Sequence, residues 1–544
     1  YVISAFNQDL PYDRFVIEQL AGDLLPKTGD VATDLDRVVA TGFLQVGPKP
    51  VVMRNKHQML REIADEQIHA TGVVFMGLTL GCARCHDHKF DPIPTQDYYS
   101  LAGIFLSTEM MQDFLADSKW IEYMMPAPGG GEVKVMGVRD QPTPSDVRIH
   151  IRGNYEQLGD LAPRRVLRII AGEDQPPLET NGSGRLELAQ WITGDEHPLT
   201  ARVMVNRIWQ WHFGTGLVAS SGDFGVRGEK PSHPDLLDWL ARRFVESSWS
   251  VKSMHRRMLL SSTYQQAHVE NLTATQHDPN NRLLWRMPRR RLTGEEVRDS
   301  LLALGGSLDN VMGGSDFDYK AIQAGGAPER ELYALGSRPK FPLPRRSVYL
   351  PVVRNFRPEI MRLFDAAIEH ESTSKRHETT VAPQSLFFLN SPVVRQQSLR
   401  LAQSLAPDKN TVPGEDQTDE VIVQQAYQAV LGRNATPAET ADGIDFLRHF
   451  VAAIDPDGRL HEQNLRQIED WEKRLAESKT KKKMLVPHDK LVMETNGLLF
   501  YYRFNEPSGT QMAVNTPSPG IYDAEIQDGV QPVSYKHMTL QTKA

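Results

Sequence analysis

The 544-residue sequence contains two cysteines, Cys82 and Cys85, and a histidine, His86, directly follows the second. On a helical turn, residues three and four apart lie on one face, so the thiols and imidazole of CARCH would point the same way. Two thiols so spaced can form thioethers with the two vinyl groups of a haem, and the adjoining imidazole can bind the iron from the proximal side. The same residues admit other chemistry. CxxC pairs also serve zinc sites and redox couples. His88, with His69 upstream, could complete a tetrahedral zinc site with Cys82 and Cys85, and a structural thiol pair without metal is a third reading. A second axial ligand could come from Met76, His88, His69, Met110 or Met111, each of which could equally be core or surface.

The elements that must position this group read as helices. PYDRFVIEQLAGDLL over 11–25 has near-helical apolar spacing closed by Pro26, and a longer helix over about 56–78 runs toward the cysteines. Asp91, Pro92 and Pro94 must interrupt any helix after the motif, and Tyr98, Tyr99, Leu101 and Phe105 suggest a short amphipathic one beyond. Residues 1–110 thus form one small helical domain around the cysteines. Turn signals (PAPGGGE, QPTPSD, DQPP, NGSG) make 111–183 a connecting region with some β structure, in which DVRIHIRG alternates as a strand would.

A larger helical domain with few strands covers 184–455. Its helix starts include Ser232-Pro234-Asp235 and two capping boxes, Thr293 with Glu296 and Thr436 with Glu439. RSVYLPVV at 346–353 is its likeliest strand. Residues 456–489 are a charged helical linker ending in KTKKK. From 490 to 544 the aromatic and β-branched pattern LLFYYRFNEPSGT begins an all-β module, about 55 residues and too short for a full sandwich. The fold class is therefore mainly α, with a truncated β-sandwich start at the C-terminus.

Bulk properties narrow the function classes. The length suggests roughly three or four domains, and 40% hydrophobic with 24% charged residues is an ordinary globular composition. A net charge of −8 and pI near 6.1 argue against a nucleic-acid-holding protein. No apolar run reaches the roughly 18 residues a membrane-spanning helix needs. Two closely spaced cysteines are not a disulfide framework. The chain opens on Tyr1 and reads as starting inside a folded region, so the missing targeting segment carries no weight.

Polar groups in 184–390 that could build a second site are Arg207, His212, Asp223, His233, Arg291, Glu295, Arg354, His377 and Glu378. A His–carboxylate pair can do acid–base chemistry, but helix starts, solvated basic faces and loop caps explain most of them. No nucleophile triad, phosphate loop or HExxH motif is present, so no catalytic residue is assigned.

GLTLGCARCHDHKFDPIPTQDYYSLAGIF, with LPYDRFVIEQLAGDLLP and ATGFLQVGP upstream, resembles the planctomycete-type cytochrome domain. HPLTARVMVNRIWQWHFGTGLV, GDFGVRGEKPSHPDLLDWLA, RRLTGEEVRDSLL and HETTVAPQSLFFLNSP resemble the uncharacterised domain that follows it. LLFYYRFNEPSGT resembles the first strands of a laminin-G-like, concanavalin-A-type module. The resemblance implies an exported, periplasmic or cell-surface bacterial protein bearing haem c, with Cys82 and Cys85 as thioether positions and His86 as proximal ligand. The leading reading is then an electron-transfer role with a redox partner protein or cytochrome module, in which breakdown of an external polysaccharide is one setting. A zinc-stabilised hydrolase-like enzyme and a non-catalytic glycan-binding scaffold are the rival readings.

Overall fold

Short polar residues placed one position ahead of apolar-periodic runs start several helices. Asp30, Asn55, Ser250 and Asn271 each accept a hydrogen bond from the backbone N–H three residues on. Such a cap stabilises a helix by about 1 kcal/mol. The computed structural model describes residues 1–49, 55–112, 119–127, 130–313, 344–350, 357–368, 372–405 and 416–454, and two short strands, Met512–Ala513 and Ala524–Glu525. The fold is mainly α.

Helices α1 (Val2–Asn7), α2 (Tyr12–Ala21), α3 (Val31–Ala40) and α4 (Phe43–Val46) lead to the 16-residue α5 (Lys56–Thr71). A π-turn, Gly72–Met76, continues α5 and ends at Gly77, whose φ of 63° is left-handed. A side chain at Gly77 would also strike Phe224 and Val203, so glycine is required there on both counts. The Cys/His motif follows on a short 3-10 turn, and then comes α6 (Thr95–Leu106).

Between 108 and 162 the chain forms antiparallel two-stranded ribbons. These are β1 (Thr108–Glu109) with β6 (Arg139–Asp140), β2 (Met111–Gln112) with β3 (Lys119–Trp120), and β4 (Glu122–Pro126) with β5 (Glu132–Met136). The last is β7 (Val147–His150) with β8 (Leu158–Ala162). Helices α7 (Arg168–Ala171), α8 (Arg185–Ile192), α9 (Thr200–Phe213), α10 (Pro234–Glu246) and α11 (Val251–Leu259) come next.

The described chain divides into two compact units. The first comprises Tyr1–Arg298 with Asn310–Gln384, and the second Asp299–Asp309 with Ser385–Ala544. In the first, one apolar core runs from Tyr12 through Met76, Leu80, Tyr99 and Val138 to Ile208, Phe244 and Met258. The 111–183 stretch therefore contributes residues to the same core as its neighbours. Arg185, with no exposed surface, joins the three stretches. It holds Asp23 through two 2.8 Å bonds, Asp140 at 2.7 Å and the Leu20 carbonyl at 3.0 Å. Asp140 also accepts from the Ser183 backbone at 2.7 Å. Although burial pushes the Asp140 carboxyl up, Arg185 and Ser183 bring it below the ordinary value.

In the second unit Pro437–Ile454 packs against Asp416–Leu431. The Thr436–Glu439 capping box closes in both directions, at 2.9 and 3.3 Å, and Arg433 grips Glu439 at 2.7 and 2.8 Å. In the first unit the Thr293–Glu296 box likewise forms, at 2.7 and 3.3 Å.

Two expectations need correction. The helix near 233 is not capped by Ser232: His233 occupies the cap position without a side-chain cap bond, and Pro234 fills the first turn. Ser232 sits one residue too early, so its hydroxyl meets the His233 ring at 3.0 Å. The described part of 346–353 is a 3-10 turn, Ser347–Tyr349, because Tyr349 and Leu350 donate back to Arg346 and Ser347. Residues 351–353 lie outside the described residues, as do the charged linker over 456–489 and the β module over 490–544, apart from the two short strands. Among the described residues no helix is long and apolar enough to cross a membrane.

Replacing Arg185 with methionine keeps the volume but leaves two largely buried carboxylates unpaired. Urea unfolding is expected to show a loss of about 3–5 kcal/mol; a loss near zero would remove Arg185 as the tie.

Candidate functional site

The turn Leu80–Arg84 has 3-10 geometry, with three residues per turn. Leu80 and Ala83 therefore share one face and are 1% and 0% exposed, anchored in the core. Cys82, within the turn, and Cys85, at its C-terminal cap, are both exposed free thiols. The sequence pattern suggested an α-helical turn; the turn is instead 3-10, with Cys85 at its C-terminal cap and His86 beyond it.

Packing from two helices fixes the turn. Arg84, between the cysteines, reaches α5, where it meets Glu62 at 2.8 and 3.1 Å and Asp65 at 3.2 Å. The hydrogen bond from Arg84 holds the Glu62 carboxyl below its ordinary range. Tyr98 of α6 donates to Asp65 at 2.5 Å. Tyr99 donates to the Arg84 carbonyl at 2.9 Å and lies 3.3 Å from that of His150.

Asp87 accepts from Thr95 N–H at 2.8 Å, which tethers the loop to the start of α6 and lowers the Asp87 carboxyl. Asp91 accepts from Val226 N–H at 2.6 Å, and Arg207 donates to the Val73 and Val74 carbonyls, at 2.7 Å to Val73. Residues from beyond 184 thus buttress the back of the motif.

The histidines differ in what they can offer. His86 is exposed, and its Nδ1 lies 2.7 Å from the Asp87 carbonyl oxygen. A carbonyl only accepts, so Nδ1 carries the proton and Nε2 keeps its lone pair for a metal. His88 is committed differently: its Nδ1 accepts from Asp91 N–H at 2.8 Å, and its side chain is 5% exposed. His69 is exposed on the last turn of α5. Met76, Met110 and Met111 are buried, with Gln67 donating to the Met110 sulphur at 3.8 Å. The structure gathers Cys82, Cys85, His86 and His88 on one loop and puts the methionines in the core. Among the described residues no group of three or more His, Cys, Asp or Glu side chains could hold a metal ion.

Residues 1–110 match the family PSCyt2, a protein of unknown function (DUF1549). Residues 184–447 match PSD1, a protein of unknown function (DUF1553). The chain carries both of these planctomycete-type domains. No curated protein and no solved structure matches it. The Cys/His loop belongs to the PSCyt2 domain, and the loop bearing Val226 that supports it belongs to the PSD1 domain.

Most of the polar residues singled out in the PSD1 domain are held by local structural partners. Arg207 is half-buried on backbone carbonyls, and Asp223 caps Gly225 N–H at 2.9 Å. Arg291 faces Asp365 at 3.5 Å, and Glu295 is gripped by Arg376 at 2.7 and 3.0 Å. His377 and Glu378 are exposed, and Arg354 lies outside the described residues. His212 bonds His255 at 2.8 Å, a pair the sequence hides because 43 positions separate its members.

Sequence reasoning also missed Arg84, Tyr99 and His150. Glu62 and Asp65, three apart on one helical face, were the legible sign that α5 awaited a cation. His150 is buried, with Arg61 Nε 3.5 Å from its Nε2. Burial, then Arg61 and Arg84, push its pKa down to about 4. The unfolded chain would bind this proton near 6.5, so stability is full above that pH and is lost as pH falls toward 4. Thermal melts across this window are expected to show a falling midpoint, with a shallower fall in His150→Asn. Parallel curves would contradict the assignment.

Proposed function

We propose that the chain is an extracytoplasmic c-type haem protein with an electron-transfer role. Cys82 and Cys85 hold the haem by thioethers, and His86 binds its iron. The observation that carries the reading is the state of His86, which directly follows the second of two exposed thiols and whose Nδ1 is tied to the Asp87 carbonyl, leaving Nε2 free. A ligating histidine needs this arrangement, with one nitrogen fixed by a carbonyl and the other bare. The donor set therefore fits the group. Bound haem would supply one-electron redox chemistry, its potential set by axial ligation, burial and hydrogen bonding.

The protein's own residues hold the attachment turn in place. Leu80 and Ala83 anchor it, while Arg84 and Tyr99 stop it from unwinding. The partner in this reading is a redox protein or cytochrome module. The cytochrome nature of the PSCyt2 domain, the laminin-G-like start after 490 and a link to polysaccharide breakdown belong to the same proposal.

The chain, exported in a host that matures c-type haem, is expected to give a c-type pyridine haemochrome band after denaturation. Cys82→Ser/Cys85→Ser should abolish that band. His86→Ala should keep covalent haem but change the native spectrum and lose the proximal ligand. A featureless spectrum from folded, exported protein would contradict the proposal. Stoichiometric zinc that depends on Cys82, Cys85 and His88 would replace it with the zinc reading.

A further inference from the structure

We propose that the β7–β8 hairpin, which lies outside both matched domains, forms a wall of the Cys82/Cys85/His86 site. Gly153 in its loop is the residue that leaves room for chemistry at Cys85. Gly153 has a φ of 75°, and a Cβ added there would lie 2.8 Å from Cys85 Sγ. That is well inside contact distance, so a side chain at 153 would force the Cys85 sulphur from its position. The next atoms such a Cβ would meet belong to Arg84, at 3.9 and 4.0 Å.

The approach is built rather than incidental. Tyr99 donates to the Arg84 carbonyl at 2.9 Å, and its hydroxyl lies 3.3 Å from the His150 carbonyl at the end of β7, so its ring sits between the turn and the hairpin. The loop is closed by Ile151 N–H on Gln157 at 2.9 Å and by Asn154 N–H on Ile151 at 3.1 Å. Arg152, a non-glycine residue with a φ of 55°, holds the bend that delivers Gly153. Ile151 and Leu158, at either end of this loop, are 47% and 56% exposed.

The two thiols are therefore inequivalent. Cys85 faces the hairpin, whereas a change at 153 has no route to Cys82 through this contact. In thioether formation the S–H adds across a vinyl C=C: sulphur bonds the carbon next to the ring, hydrogen goes to the terminal carbon, and no oxidant is consumed. A side chain at 153 would obstruct this addition at Cys85 and leave it open at Cys82. The haem part of this inference rests on the proposed function; the packing part does not.

Two readouts separate them. Asparagine tolerates positive φ, so Gly153→Asn is compared with Gly29→Asn, where φ is 83° and a Cβ would meet nothing within 4 Å. In haem-free protein, iodoacetamide labelling followed by mass spectrometry gives the Cys85-to-Cys82 ratio. That ratio should change several-fold in Gly153→Asn and not in Gly29→Asn. In the exported, matured protein, Gly153→Asn should carry haem through Cys82 alone. Its haemochrome band should then move to longer wavelength, because one vinyl remains conjugated. An unchanged labelling ratio, or wild-type double attachment in Gly153→Asn, would overturn the inference. If the wild type takes no haem, the proposed function fails and the labelling ratio alone decides the role of Gly153.

Discussion

One buried guanidinium, that of Arg185, is the interaction on which the first unit depends. It closes on the end of α2 through Asp23 and Leu20, on β6 through Asp140, and belongs itself to α8. A fully buried cation is costly unless every donor finds an acceptor, so these three pieces of chain must meet in one arrangement. The stretch before residue 110, the ribbons after it and the helices from 184 are thereby held to a common core. The Cys/His turn draws its supports from all three. Tyr99 and Arg84 act from within the first stretch, the His150 hairpin from the second, and Val226 and Arg207 from the third.

At the site the controlling fact is the three-residue period of the Leu80–Arg84 turn. It separates anchors from chemistry cleanly, with Leu80 and Ala83 inward and the two sulphurs outward. Burying Leu80 contributes about 1.5–3 kcal/mol, enough to oppose unwinding by a ligand pulling on the neighbouring thiols.

The sequence made some of this legible and hid the rest for physical reasons. Thr293 with Glu296 and Thr436 with Glu439 were readable because a capping box is a local bond. Cys82, Cys85 and His86 were readable because their spacing is itself the signal. The 3-10 geometry was not, since i+3 and i+4 neighbours look alike in either helix type. Gly153 stands 68 positions from Cys85, and nothing in IRGNY marks a glycine that a sulphur needs. Arg185 lies 162 positions from Asp23. Within the range where a strand was expected, Ser347–Tyr349 closes a 3-10 turn on its own backbone instead.

The most direct test of the central claim is the intact mass of the exported chain under denaturing conditions, followed by sequencing of the peptide spanning 82–86. The account predicts the chain mass plus one haem, with the added mass on Cys82 and Cys85. A folded, exported chain at its bare mass, with both thiols free, would contradict it.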